Sequence, residues 1–306
     1  MHQLWTEKYR PQGLSGYVFR DESQKRQVET WVKEGTIPHL LFSGPPGTGK
    51  TTLAKALLNE LDVDWGDVLM LNASVTNGVD EVRNRIINFS SSMPFGDSKY
   101  VLLDEADGLS PAAQSALRGV METYSNACRF ILTCNYPNKI IPALHSRCQG
   151  FHIQKLDQTE FTARIAEILL EEGVEFELDT LDLYVRAAYP DMRKAINMAQ
   201  QNSTSGTLVS PTSDQNTSQD FRVNLIALFR EGRVQDARKL ITQQATPEEY
   251  DTIYRFLYEN LDLWGQDYDQ QCQALMIIRN GLVNDSLVAD REINLSACLV
   301  ELEMLK

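Results

Sequence analysis

The sequence predicts an α/β domain built on a parallel sheet, followed by a helical second half. Three observations carry that prediction. The apolar run Leu40-Leu41-Phe42 leads directly into Gly44-Pro45-Pro46-Gly47-Thr48-Gly49-Lys50-Thr51, the strand, glycine-rich loop and helix start of a phosphate-binding loop. Short apolar runs alternate with helical periodicity through the first half of the chain. After about residue 155 the strand signal stops and only helical spacing remains.

The elements follow in order. Strands are expected at residues 40–43, 68–72, 101–105, 130–135 and 151–154, each a short apolar run suited to burial on both faces. Helices are expected between them at 24–34, 51–61, 79–91 and 112–124, which is the alternation of a parallel α/β sheet. Helical spacing returns at 159–172, with Phe161, Ile165, Ile168 and Leu169 on one face, and again at 178–189 and 191–201. Residues 202–220 are rich in Ser, Thr, Asn and Gln and read as a linker or loop. From Val223 to Leu305 the pattern is helical, with breaks expected near Gly232, Pro247, Gly265 and Gly281. The resulting division is 1–155, 156–205, a polar linker 206–221, and 222–306.

Composition narrows the function. The chain has 306 residues, 42% of them hydrophobic, enough for two or three globular domains. No stretch approaches the ~18 uninterrupted apolar residues of a membrane span, and the N-terminus lacks a signal-peptide layout, so a cytoplasmic protein without a membrane partner is expected. The five cysteines are odd in number and lack a C-x-x-C pair, which suggests reduced thiols rather than disulfides or a zinc site. The net charge of −13 argues at first against nucleic acid. Its distribution reverses that inference: residues 1–150 carry 15 Lys/Arg against 16 Asp/Glu, so the acidity lies in the helical half. A local basic patch in the first domain stays possible.

The phosphate loop has a mechanical meaning. Its glycines let backbone N–H groups wrap round phosphates, and the following helix adds its positive end. Gly44, Pro45, Pro46, Gly47, Thr48, Gly49, Lys50, Thr51 and Thr52 are the expected nucleotide contacts, with Lys50 on the β- and γ-phosphates and the Thr51 hydroxyl on Mg²⁺. Downstream, Val101-Leu102-Leu103-Asp104-Glu105-Ala106-Asp107 is an apolar strand ending in acids at the same sheet edge. Asp104 would sit by Mg²⁺, and Glu105 would polarise the attacking water. ATP and Mg²⁺ are therefore the expected substrate and metal.

Other ATPases share these two motifs, and further segments choose among them. They are Trp5-Thr6-Glu7-Lys8-Tyr9-Arg10-Pro11, the stretch from Ala113 to Glu122, Leu132-Thr133-Cys134-Asn135, and Ser146-Arg147-Cys148. Together they resemble the AAA+ sliding-clamp loaders: the small subunits of replication factor C and the large clamp-loader subunit of T-even-type phages. The short C-terminal region leans toward the phage type, which would place the protein in a host cytoplasm.

The resemblance implies a fold and a division of labour. An AAA+ domain would be followed by a small helical lid and an all-α collar that builds a homo- or hetero-oligomer, pentameric in the family. The assembly would open a sliding clamp, place it on primer–template DNA and hydrolyse ATP to release it. Asn135 matches the sensor near the γ-phosphate. Arg147 matches the arginine finger, acting in trans on a neighbour's ATP. Arg193 matches the second sensor on the lid. Tyr9, Arg10 and Pro11 match the segment beside the adenine. Thr76, Asn77, Arg83 and Arg85 match the face toward DNA, with Asn77 where many relatives carry a basic residue. Gln114, Arg118 and Glu122 are spaced to share one helix face, and the resemblance assigns that face to coupling between subunits. An exposed Phe95 in the loop Met93-Pro94-Phe95 would suit a clamp pocket. Two rivals stay open on sequence alone: a DNA helicase or branch-migration motor, and a scaffold that binds ATP without turnover.

Overall fold

In the computed structural model, residues 3–74, 79–203, 206–210, 221–265 and 267–305 are described, with backbone alone at 79–82. The chain divides into two compact units, residues 1–161 with 190–194, and residues 162–189 with 195–306.

The first unit holds a parallel sheet. Its strands are β1 (Leu40–Ser43), β2 (Val68–Asn72), β3 (Lys99–Asp104), β4 (Cys128–Cys134) and β5 (Gln149–His152), in the spatial order β2-β3-β4-β1-β5. The register is set by pairs such as Leu40↔Ile131, Leu40↔Gln149, Val101↔Phe130 and Leu69↔Val101. Side chains alternate between faces, so each apolar run feeds two cores. Leu41, Val101, Leu103, Phe130 and Leu132 meet Ile86, Leu117 and Met121 from the helices Val79–Ser91 and Pro111–Thr123. Leu40, Phe42, Leu102, Ile131 and Phe151 meet Val28, Trp31, Leu53 and Leu57 from the helices Glu22–Glu34 and Lys50–Glu60. Each fully buried Leu, Ile or Phe contributes about 1.5–3 kcal/mol relative to exposure.

The expected strands are all present: β1 and β2 have the expected bounds, and β3, β4 and β5 each begin and end one or two residues earlier. β3 stops at Asp104, because Glu105 turns into a left-handed conformation with φ 56°. The helix Glu22–Glu34 begins two residues earlier than expected, where the Asp21 carboxylate accepts the Ser23 N–H at 2.8 Å as an N-cap.

The second unit is helical. It includes Leu178–Ala188, Phe221–Arg230, Val234–Gln244, Tyr250–Glu259, Tyr268–Asp285 and Arg291–Glu303. Asp182 accepts from Arg186 and Arg230, and Arg186 also reaches Asp262 at 2.7 Å. That network ties the helix Leu178–Ala188 to Phe221–Arg230. Breaks occur as expected around Gly232, Pro247 and Gly265. The break expected at Gly281 does not occur: Tyr268–Asp285 runs through it. A Cβ there would lie 2.8 Å from the Tyr254 ring and 3.0 Å from the Cys298 sulfur, so the glycine serves close helix packing rather than a turn. The stretch expected to be a linker from residue 206 has anchored residues at its start, and residues 211–220 lie outside the described residues. Thr207 bridges to Glu175, and Leu208 is buried, so an apolar side chain within the polar stretch anchors its beginning. The five cysteines are free thiols.

Candidate active site at the C-terminal edge of the sheet

β1 ends at Ser43, and the loop from Gly44 to Gly49 leads into the helix Lys50–Glu60. Three glycines there are sterically required: a Cβ on Gly44 would fall 2.2 Å from the Ile153 carbonyl oxygen, and Gly47 and Gly49 have left-handed backbones. Gly47 has φ 75°, and a Cβ on it would fall 2.1 Å from Asp191 Oδ1. Gly49 has φ 89° and lies against the Tyr17 ring. The Thr48 hydroxyl donates to Pro45 O at 2.8 Å and stiffens the loop. Lys50 is 8% exposed, and its ammonium donates to Gly44 O at 2.9 Å and Pro45 O at 2.6 Å. Burial lowers its pKa, while Cys134, Asp104 and Asp107 oppose that shift. Arg193 is exposed, and its charge also acts on Lys50 from beside Asp191.

The ends of β3 and β4 meet this loop. Asp104 Oδ1 accepts from the Thr51 hydroxyl at 2.7 Å and from the Thr133 hydroxyl at 2.5 Å. Thr133 in turn accepts the Glu105 N–H at 3.0 Å. Glu105 is exposed, its side chain aimed by the left-handed turn. Such a conformation costs about 1–3 kcal/mol in a non-glycine residue and persists where surrounding bonds enforce it. Asn135 follows β4, with its N–H donated to Asp107 Oδ2 at 3.2 Å. The Thr51 hydroxyl and Asp104 carboxylate are hard oxygen donors held side by side, a donor set that fits Mg²⁺ bound jointly with phosphates. Thr52 is half-buried in the first turn of the same helix.

Sequence reasoning missed part of this site. A narrow hollow beside Thr48 is lined by Tyr17, Val18, Phe19, Ile153, Gln154 and Leu156, among others. Tyr17 and Phe19 pack edge to face at 4.8 Å, and burial raises the Tyr17 pKa. The available signal was an aromatic pair two residues apart within a polar segment. Tyr9, Arg10 and Pro11 do not line this hollow: Arg10 pairs with Glu7 at 2.8 Å and Tyr9 packs under the Lys8 ammonium.

Arg147 lies elsewhere. It precedes β5 by two residues, at the end of the sheet where Gln149 pairs with Leu40, whereas the phosphate loop leaves β1 after Ser43. The length of β1, roughly 10 Å at ~3.3 Å per residue, separates those levels. Its guanidinium donates to Ala143 O at 2.8 Å and pairs with Glu122. Arg118 is 4.0 Å from Glu122, and both are exposed. Gln114 departs from the common face expected for these three. It is 1% exposed, donates to Leu109 O and Lys139 O, and accepts the Ile141 N–H at 2.8 Å. The 40° advance at each four-residue step carries the first member of the series into the core. Arg83 and Arg85 are exposed on the helix Val79–Ser91, while Thr76 and Asn77 lie outside the described residues. Met93 and Phe95 are 90% and 82% exposed. The buried Asp67 carboxylate accepts the N–H groups of Phe95 and Gly96 at 2.7 and 2.8 Å, which fixes the loop that presents them.

Residues 40–156 match the ATPase family associated with various cellular activities (AAA). The replication factor C small subunit of Methanocella arvoryzae is 39% identical over 272 residues, covering 84% of each chain. That of Archaeoglobus fulgidus is 40% identical over 247 residues, covering 78% of this chain and 77% of the relative. Among solved structures, the Thermotoga maritima RuvB Holliday junction branch migration motor superposes with a TM-score of 0.55 at 18% identity, over 73% of this chain and 80% of that one. The RuvB likeness is one of fold. The small subunits match at far higher identity over more of the chain, and the chain belongs to the replication factor C small-subunit family of AAA+ clamp-loader ATPases.

Proposed function

We propose that this chain works in a ring or spiral of like or related subunits, five in the full assembly, which opens a sliding clamp and places it on primer–template DNA in the cytoplasm. The observation that carries the reading is the placement of Arg147 at the opposite edge of the sheet from Lys50. A finger there serves a neighbour's ATP, so hydrolysis requires assembly. Mg²⁺ held by Thr51 and Asp104 would supply charge neutralisation on the β- and γ-phosphates. Lys50 binds the same phosphates, Glu105 accepts a proton from the attacking water, and Asn135 and Arg193 orient the γ-phosphate. Tyr9, Arg10 and Pro11 lie beside the adenine.

The other surfaces fit the same reading. Arg83 and Arg85 meet DNA phosphates. Met93 and Phe95 dock in an apolar pocket of the clamp. Residues 156–205 form the lid and 222–306 the collar, joined through the linker. On Tyr268–Asp285 the exposed Tyr268, Leu275, Met276, Leu282 and Val283 recur at seven-residue steps, two helical turns apart, an apolar stripe suited to a neighbouring collar. ATP turnover measured with clamp and primed DNA, separately and together, tests the proposal. Strong stimulation requiring both supports it. Turnover that rises on DNA alone and ignores the clamp contradicts it.

A further inference from the structure

Asp107 closes the acidic run after β3, and the chemistry above gives it no role. Its carboxylate spans two turns of the active site. Oδ2 accepts the N–H of Asn135 at 3.2 Å and that of Tyr136 at 3.0 Å. Oδ1 is buried and has no hydrogen-bond partner among the described residues. Backbone pairing between β3 and β4 extends to Leu103↔Leu132. Beyond that level side chains take over the connection. Thr133 on β4 holds the Glu105 N–H, and Asp107 after β3 holds Asn135 and Tyr136 in return.

The energetics favour a specific purpose. A carboxylate accepting backbone N–H groups makes bonds roughly twice as strong as neutral ones. A dry, unpartnered carboxylate oxygen is costly. Such a group is retained at that cost where the position of what it holds matters.

We propose that Asp107 is a positioning residue for ATP hydrolysis, fixing the backbone from which Asn135 meets the γ-phosphate and tying it to the turn that carries Glu105. The proposal rests on Asn135 being the γ-phosphate sensor. Asp107 has a second route of influence, since its charge also acts on Lys50. The two routes differ in what they need. Positioning needs an acceptor oxygen, whereas action on Lys50 needs the negative charge.

The test compares Asp107→Ala, Asp107→Asn, Asn135→Ala and the Asp107→Ala/Asn135→Ala double variant in the assembled clamp loader. ATP affinity and clamp- and DNA-stimulated kcat are both measured. Positioning predicts that Asp107→Ala slows turnover ~10–100-fold, the scale of a misplaced catalytic group, with ATP affinity within ~3-fold. Asp107→Asn, which keeps an acceptor of the same shape, recovers most of the turnover. The double variant is no slower than about twofold below Asn135→Ala alone, because both changes remove one coupled unit. The proposal is overturned if the single effects multiply in the double variant, if Asp107→Asn is as slow as Asp107→Ala, or if affinity falls as far as turnover. Normal turnover in Asn135→Ala overturns the sensor reading itself. That outcome is told apart because it appears in a variant with Asp107 intact.

Discussion

Thr133→Val replaces a buried hydroxyl by a methyl of nearly the same shape, so its effect isolates two hydrogen bonds. Thr133 is 1% exposed, donates to Asp104 Oδ1 at 2.5 Å and accepts the Glu105 N–H at 3.0 Å. The bond to a carboxylate is worth about 1.5–3 kcal/mol. Losing the acceptor for Glu105 adds about 0.5–1.5 kcal/mol, the ordinary net value of a hydrogen bond, since water reaches this exposed turn. A loss of about 2–4 kcal/mol in unfolding free energy follows, measurable by urea denaturation. The same change frees the left-handed turn at Glu105 and one of the two side-chain bonds to Asp104, so turnover should fall ~10–100-fold. Thr133→Ser keeps both bonds and should restore turnover. Stability within ~0.5 kcal/mol of wild type together with unchanged kcat would refute the reasoning, because it would show that the hydroxyl anchors neither acid.

Three further outcomes follow from the same geometry. Glu105→Gln should retain ATP affinity in a nucleotide titration and lower steady-state turnover by at least ~10²-fold, as expected for loss of a general base. Arg83→Glu should weaken primer–template binding and reduce its salt slope by roughly one unit across a salt series, while DNA-independent hydrolysis stays near wild type. Phe95→Ala should weaken clamp affinity by about 2 kcal/mol or more, the scale of an aromatic hot spot, when clamp binding is titrated in the presence of ATP; unchanged affinity would remove the loop from the clamp interface.

The fold was legible because its signals are local. A buried parallel strand reads as an apolar run, and the phosphate loop is fixed by backbone conformations that only certain residues adopt, as Gly47 and Gly49 show. Asp104 and Glu105 were legible because a strand end places acids at the sheet edge. Other features depend on depth or on distant contacts. Thr133 was hidden inside an apolar strand, where its hydroxyl looks like one more β-branched core residue. Gln114 has a polar side chain on an amphipathic helix, and periodicity gives its direction without showing that Leu109, Lys139 and Ile141 offer it partners. Gly281 reads as a break until Tyr254 and Cys298, remote in sequence, are seen against it. The hollow at Tyr17 and Phe19 is assembled with Ile153 to Leu156, more than a hundred residues away.

The central claim is that Arg147 completes a neighbour's active site, and mixing two inactive chains tests it most directly. Arg147→Ala chains keep the ATP site and lose the finger, and Lys50→Ala chains do the reverse. Each alone should be nearly inactive with clamp and primed DNA, since an arginine finger is worth roughly 10³–10⁵ in rate. Mixed, they should regain part of the wild-type turnover, because some intact ATP sites then face intact fingers. The account is contradicted if Arg147→Ala chains hydrolyse ATP normally by themselves, or if the mixture stays as inactive as its components while forming the wild-type assembly.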